Sequence, residues 1–159
     1  MIAKPRSKTA LIRIPDDRWL SGMAKAVFRA GFNWSVIDRK WPDIEAAFNG
    51  FDPHRVAFLS DDDLDVLLKD ARIIRHWRKL KAIRTNAQYI VDLAAEHGTA
   101  AKYFGDYPSA EYVGLLHDIK KRAAYLGGTT GAILPARAGQ GLICTFERRH
   151  RCTKARKRV

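Results

Sequence analysis

Lys120-Lys121-Arg122-Ala123-Ala124-Tyr125-Leu126-Gly127-Gly128-Thr129-Thr130-Gly131-Ala132 joins a basic helix end to a glycine-rich turn and a new helix start. Such a turn leaves backbone N–H groups unpaired, and the dipole of the following helix adds positive potential, so a phosphate can sit there. A Gly-Gly turn between helices is as often a plain connection, and on this stretch alone the two readings stand level.

Working outward, the flanking chain is helical. Pro15, Asp16 and Asp17 open a segment in which Trp19, Leu20, Met23, Val27 and Phe28 recur at helical spacing, closed by Gly31. Asn33 caps a second helix with a stripe of Trp34, Ile37, Trp41, Ile44, Ala47 and Phe48, bent or interrupted at Pro42. Asp52-Pro53 starts a short turn of helix. Ser60 followed by Asp61, Asp62 and Asp63 reads as a cap with acidic residues on the positive helix end, in preference to a metal site, because consecutive carboxylates there point in different directions.

One long amphipathic helix is expected from Ile73 to His97, ending at Gly98, with Ile74, Trp77, Leu80, Ile83, Ala87, Ile90, Val91 and Ala94 inward. Its other face carries Arg75, Arg78, Lys79, Lys81 and Arg84. Thr99 and Ser109 cap two more helices, the second running through Tyr112, Val113, Leu115, Leu116 and Ile119. No run of strand alternation and no repeat interrupts this pattern, so the fold class is all-α. The expected organisation is a loose basic lead-in over residues 1–14, one helical domain over 15–145 and a poorly ordered basic tail over 146–159.

The chain has 159 residues, 47% of them apolar, enough for one core and too few for two ordinary domains. Its net charge of +12 favours a polyanionic partner, either nucleic acid or an acidic membrane surface. Half of that surplus sits in residues 146–159, where seven Lys/Arg face one Glu; such a run is more often solvated than a dedicated DNA-binding arm. Two cysteines, Cys144 and Cys152, make no disulfide framework, and neither a signal peptide nor an 18-residue apolar run is evident. A cytoplasmic setting is the default expectation.

Several motifs taken together are more specific than any one. Ala30-Gly31-Phe32-Asn33-Trp34, Phe51-Asp52-Pro53, Asp70-Ala71-Arg72-Ile73-Ile74-Arg75-His76 through Lys79, and Asn86-Ala87, followed by the glycine turn, resemble in order and spacing the 3-methyladenine-DNA glycosylase I family. That family belongs to the helix-hairpin-helix DNA glycosylases, and the likeness runs from about Ile14 to Gly131.

The resemblance implies a compact helical fold with a DNA-facing cleft, and double-stranded DNA carrying alkylated bases as partner. The implied activity is hydrolysis of the N-glycosidic bond of a flipped purine of the 3-methyladenine class, in base excision repair. It implies a base pocket at Trp34, with Phe28, because a stacked indole stabilises a flipped cationic base. It implies backbone contacts from Lys121, Tyr125, Gly127, Gly128, Thr129 and Thr130, joined by Arg75, Lys79 and Arg84, although a solvated helix face explains these last cations equally well. No lysine is placed for Schiff-base chemistry, no cofactor is expected, and no catalytic residue is assigned.

Two departures bear on activity. The best-known members carry a base-reading glutamate eight residues before the stacking tryptophan, where this chain has Ala26. They also hold a structural zinc through Cys and His at both ends, whereas here no Cys or His precedes His54, and His150 with Cys152 cannot complete four ligands. No zinc site is therefore expected. An alternative to the enzyme is a catalytically inactive helix-hairpin-helix DNA-binding remnant; a third reading is a basic helical protein that binds RNA or membranes through its tail.

After Ala132 the likeness stops, and the Asp that such glycosylases carry beyond the hairpin is missing. Residues 133–151 can be encoded so that the neighbouring frame reads Tyr-Tyr-Leu-Arg-Ala-Leu-Gly-Lys-Asp-Ser-Phe-Val-Leu-Ser-Ser-Val-Asp-Ile-Val, similar to the family's usual continuation. The hypothesis is a one-nucleotide shift near codon 132. Sequencing the gene should show codons that yield this continuation one frame over; codons that do not would remove the idea.

Overall fold

The computed structural model describes residues 8–108 and 111–127. Readings that fall on residues 1–7, on Ser109, and on Gly128, Thr129, Thr130, Cys144, His150, Cys152 and the basic tail lie outside them.

Among the described residues every regular element is helical: α1 (Lys8–Ile12), α2 (Asp16–Arg29), α3 (Trp34–Ala47), α4 (Pro53–Ala57), α5 (Asp61–Lys69), α6 (Trp77–His97), α7 (Ala100–Asp106) and α8 (Tyr112–Arg122). The all-α expectation holds because local capping chemistry and apolar spacing agree. The Asn33 side chain accepts from Ser35 N–H, and the Thr99 hydroxyl accepts from Lys102 N–H. Ser60 and Asp63 form a reciprocal capping box at the start of α5, the role read for this acidic run. Gly31 and Gly98 take φ of 80° and 89°, as chain reversal after α2 and α6 requires.

The 21 residues of α6 make a rod about 30 Å long that packs on α2, α4, α5 and α7. Its Leu80, Ile83, Ala87, Ile90 and Leu93 are sealed from solvent together with Leu20, Met23, Val27 and Phe28 of α2 and Ile37 and Ile44 of α3. α8 is held to this body by Leu115 and Ile119 in the core and by polar side chains. The hydroxyls of Tyr89 and Tyr103 both donate to the Asp118 carboxylate, at 2.9 and 2.8 Å, and Arg122 pairs with Glu96 at 2.8 Å.

Three expectations are corrected. α6 begins at Trp77 rather than Ile73, because Asp70 receives the Arg72 N–H and guanidinium and locks residues 70–72 into a turn, while His76 is extended at φ −147°. Residues 8–12 are not a loose lead-in: α1 lies on α7, with Leu11 buried, Ile12 against Gly105 and Lys8 paired to Asp106. Pro42 does not interrupt α3, since it sits on the exposed side, where its missing N–H leaves a carbonyl that water can satisfy.

Beyond α3, Asn49, Gly50 and Phe51 all take positive φ, at 51°, 71° and 60°. For a bulky Phe this is unfavourable, and stacking on Phe48 and Trp41, with ring centroids 5.0 and 5.5 Å away, holds it there. No helix among the described residues is long and apolar enough to cross a membrane.

Burial, with Asp118 next to each phenol, holds the Tyr89 and Tyr103 hydroxyls protonated far above the ordinary value near 10. The unfolded chain releases these protons near pH 10 and the folded chain keeps them, so folding stability is whole below that pH and falls above it. Lys79, depressed by burial, acts with the opposite sign in the same alkaline range, one group against two. Denaturant unfolding across pH 8 to 11 should show the decline beginning near pH 10, and it should be flatter in a Tyr89→Phe/Tyr103→Phe variant.

Candidate nucleic-acid interface

Trp34 stands at the first position of α3, next to its Asn33 cap, and keeps half of its surface in solvent. Its helix start is presented by the reversal at Gly31. That reversal is anchored from beneath: Lys79, on α6, reaches the end of α2 and donates from Nζ to the carbonyls of Phe28 at 3.3 Å and Ala30 at 2.5 Å. An ammonium at a helix C-terminus satisfies carbonyls that have no intrahelical partner and meets the negative end of the dipole. Lys79 Nζ also lies 4.3 Å from the centre of the Phe32 ring, which is partly exposed beside Trp34.

The hairpin is anchored from the same helix. Asn86, wholly buried, donates from Nδ2 to the Ala124 carbonyl at 3.1 Å and accepts the Ala124 N–H on Oδ1 at 2.7 Å. Its carboxamide thus replaces a backbone partner for the residue that follows α8. Tyr125 then turns the chain with φ 59°, Leu126 returns to the core, and Gly127 is exposed. The left-handed residue of the described turn is Tyr125; Gly127 has ordinary space around it, with Lys120 Cγ 3.7 Å from where a Cβ would sit. Lys79 and Asn86 are seven residues apart, two turns of one face, so their attachments are offset by about 10 Å along the axis of α6.

The cations sort into two groups. Lys120, Lys121 and Arg75 are exposed, and Arg75 borders an open surface pocket of about 410 Å³ with Leu68, Lys69 and Trp77. Lys79 and Arg84, also expected at phosphates, are otherwise engaged. Lys79 is 4% exposed and committed to carbonyls, so it belongs to the core and not to the solvent-facing surface. Arg84 donates to the Leu59 carbonyl at 2.9 Å and pairs with Asp61 at 2.8 Å, and Arg122 is held by Glu96. Phe28 is likewise fully buried, edge-on to Trp41 at 6.4 Å, so of the two aromatics expected at a base pocket only Trp34 has ring surface in solvent.

Around Trp34 the electrostatics are set by three residues. The Arg29 guanidinium lies 4.9 Å from the indole centre and donates to Asp38 at 2.7 Å, while Lys25 Nζ binds the same carboxylate at 2.9 Å. The Lys25 and Arg29 bonds hold the Asp38 carboxyl below the usual range, so it stays ionised and is no proton donor near neutrality. Ala26, one turn before Arg29 on α2, is buried and brings no carboxylate. No group of three metal-binding side chains occurs among the described residues.

With this geometry in place, similarity to known proteins becomes decisive: the family described as methyladenine glycosylase matches residues 16–124. The chain belongs to that family. DNA-3-methyladenine glycosylase 1 of Escherichia coli (strain K12) is 40% identical over 60 residues, covering 38% of this chain and 32% of the relative. DNA-3-methyladenine glycosylase of Haemophilus influenzae is 35% identical over the same extent. The chain thus aligns with about a third of the length of these curated relatives.

The fold extends further. A structure of 3-methyladenine DNA glycosylase I from Staphylococcus aureus superposes with a TM-score of 0.69 at 24% identity, covering 79% of this chain and 77% of that one. A complex of 3-methyladenine DNA glycosylase I with 3-methyladenine gives 0.69 at 24%, covering 80% of each. Within the methyladenine glycosylase span fall Trp34, Lys79, Asn86 and Asp118; Tyr125 and the glycines of the turn come after it.

Sequence reasoning quoted Asn86 as part of a motif without giving it a task, and missed the pair Arg29–Trp34. A signal for Asn86 was present: Lys79, Ile83, Asn86 and Ile90 lie on one helical stripe, and polar residues on a buried stripe need partners. Replacing Asn86 by Leu keeps the branched outline of the side chain but strands the Ala124 N–H and carbonyl, so denaturant unfolding should show a loss of about 2–4 kcal/mol. Asn86→Gln should recover little, because the added methylene displaces the amide.

Proposed function

We propose that the chain grips duplex DNA through the α8 hairpin, everts an alkylated purine of the 3-methyladenine class onto Trp34, and lets water displace the base from its sugar. The observation that carries this reading is the shared anchorage on α6. Asn86 fixes the backbone at the start of the hairpin, and Lys79 fixes the reversal that presents a half-exposed indole, at a spacing of about 10 Å along one helix. A platform and a backbone grip rigidly tied to one rod need no rearrangement to act on a single nucleotide.

Lys121 and Arg75 are exposed and available to phosphates, and Gly127 opens a turn whose continuation through Gly128, Thr129 and Thr130 is read as the backbone clamp. Membership of the methyladenine glycosylase family supports the reaction class, and the names of the relatives support the lesion. A second reading, a DNA-binding remnant without catalysis, is favoured by one feature: α2 offers buried Ala26 where the resemblance implies a base-reading glutamate, and the nearby Asp38 is tied up by Lys25 and Arg29.

Incubation of the full chain with methylated duplex DNA, followed by chromatography of free bases, decides between the two. Release that is lost in Trp34→Ala supports the enzyme. Salt-dependent duplex binding without release supports the remnant. For either reading, Gly128→Asp should abolish binding and Lys121→Ala should lower the slope of log K against log salt by about 1. Binding that survives Gly128→Asp but vanishes on deleting residues 146–159 would overturn both in favour of the tail.

A further inference from the structure

At the corner where α5 gives way to α6, Leu68, Lys69, Arg75 and Trp77 line an open depression of about 410 Å³. The chain around it is firmly built. Asp70 holds the Arg72 guanidinium, Lys40 Nζ donates to the Ala71 carbonyl at 3.1 Å, and Ile73 is buried. Asp61, at the start of α5, pairs with Arg84 and Lys81 of α6. The charges of Arg72, Lys81 and Arg84 are thereby balanced, and Lys40 is spent on a carbonyl.

Lys69 and Arg75 are left over. Both are exposed, and among the described residues neither side chain has a hydrogen-bond or ion-pair partner. The negative end of the α5 dipole favours Lys69, the last residue of that helix, but Arg75 stands just before the positive end of α6, whose first turn holds no acidic residue. Two cations in one depression without a counter-charge raise the potential there and call for an anion. The Leu68 and Trp77 walls select an anion with a partly apolar ring beside its charge, as a sugar-phosphate chain has.

The depression also adjoins the reversal that presents the indole. Between Arg75 and Trp77, His76 packs edge-on against Phe32 at 6.4 Å, and Phe32 precedes Trp34 by two residues. Resting on the reading that duplex DNA is the partner, we propose that this corner is a second backbone grip, separate from the α8 hairpin. Lys69 and Arg75 meet phosphates of the strand flanking the everted nucleotide, and Leu68 and Trp77 pack against the sugar between them.

Salt titration of duplex binding by the full chain tests this. Lys69→Ala and Arg75→Ala should each lower the slope of log K against log salt by about 1, and together by about 2. The loss should be equal on methylated and undamaged duplexes, so that the preference between them stays as in the parent chain. Lys102→Ala, which removes an exposed and unpaired cation of α7, should leave the slope as it is. Duplexes trimmed on one side or the other locate the contact: on one of the two, parent chain and double variant should show the same slope.

A slope untouched by either substitution, with duplex binding intact, would overturn the grip and leave the hairpin reading standing. A double variant that loses lesion preference while keeping its slope would put the pair at the base pocket and equally overturn it. Lost binding to phosphatidylserine vesicles, with an unchanged duplex slope, would assign the pair to lipid headgroups instead. A parent chain that binds no duplex even at low salt would remove the reading on which the grip rests, and the grip with it.

Discussion

Two polar side chains on the buried face of α6 each fasten a remote segment of the chain to the core. Asn86 gives the backbone after α8 a partner it could not find in water, and Lys79 gives one to the carbonyls at the end of α2. Each is costly to bury alone, and each is satisfied only when a remote segment arrives in one position. The offset between the chain that follows α8 and the reversal before Trp34 is therefore set by the rise of a single helix.

The tyrosines add a second tie of the same kind. Tyr89 from α6 and Tyr103 from α7 converge on Asp118, so α8 is bonded to two elements at one carboxylate, and Arg122 lies over Tyr89 at 5.1 Å while pairing with Glu96. This accounts for α8 being firmly placed although it is short and its exposed flank carries Val113, Lys120 and Lys121 to solvent. A helix that must present cations outward gains its hold on the core from polar contacts as well as from Leu115 and Ile119.

Family membership and the surroundings of Trp34 pull in different directions. The matched span places the chain in the methyladenine glycosylase family, and Trp34 is where the resemblance implies a base platform. Around it stand a guanidinium, an ammonium and a carboxylate paired to both, where the resemblance implies a glutamate on α2. Charge, more than shape, is the property in which this chain departs from what the resemblance implies.

The helices, their caps and the family were legible in the sequence because they depend on neighbours a few residues apart: Asn33 with Ser35, Ser60 with Asp63, Thr99 with Lys102. Which cations are left free in solvent was not legible. Lys79 is spent on a carbonyl 49 residues away, Arg84 on one 25 residues away and Arg122 on a carboxylate 26 residues away, and nothing local marks them off from Arg75 or Lys121. Periodicity and capping follow from short-range geometry that the sequence alone determines, whereas the availability of a charge depends on which distant group the tertiary fold brings within hydrogen-bond reach.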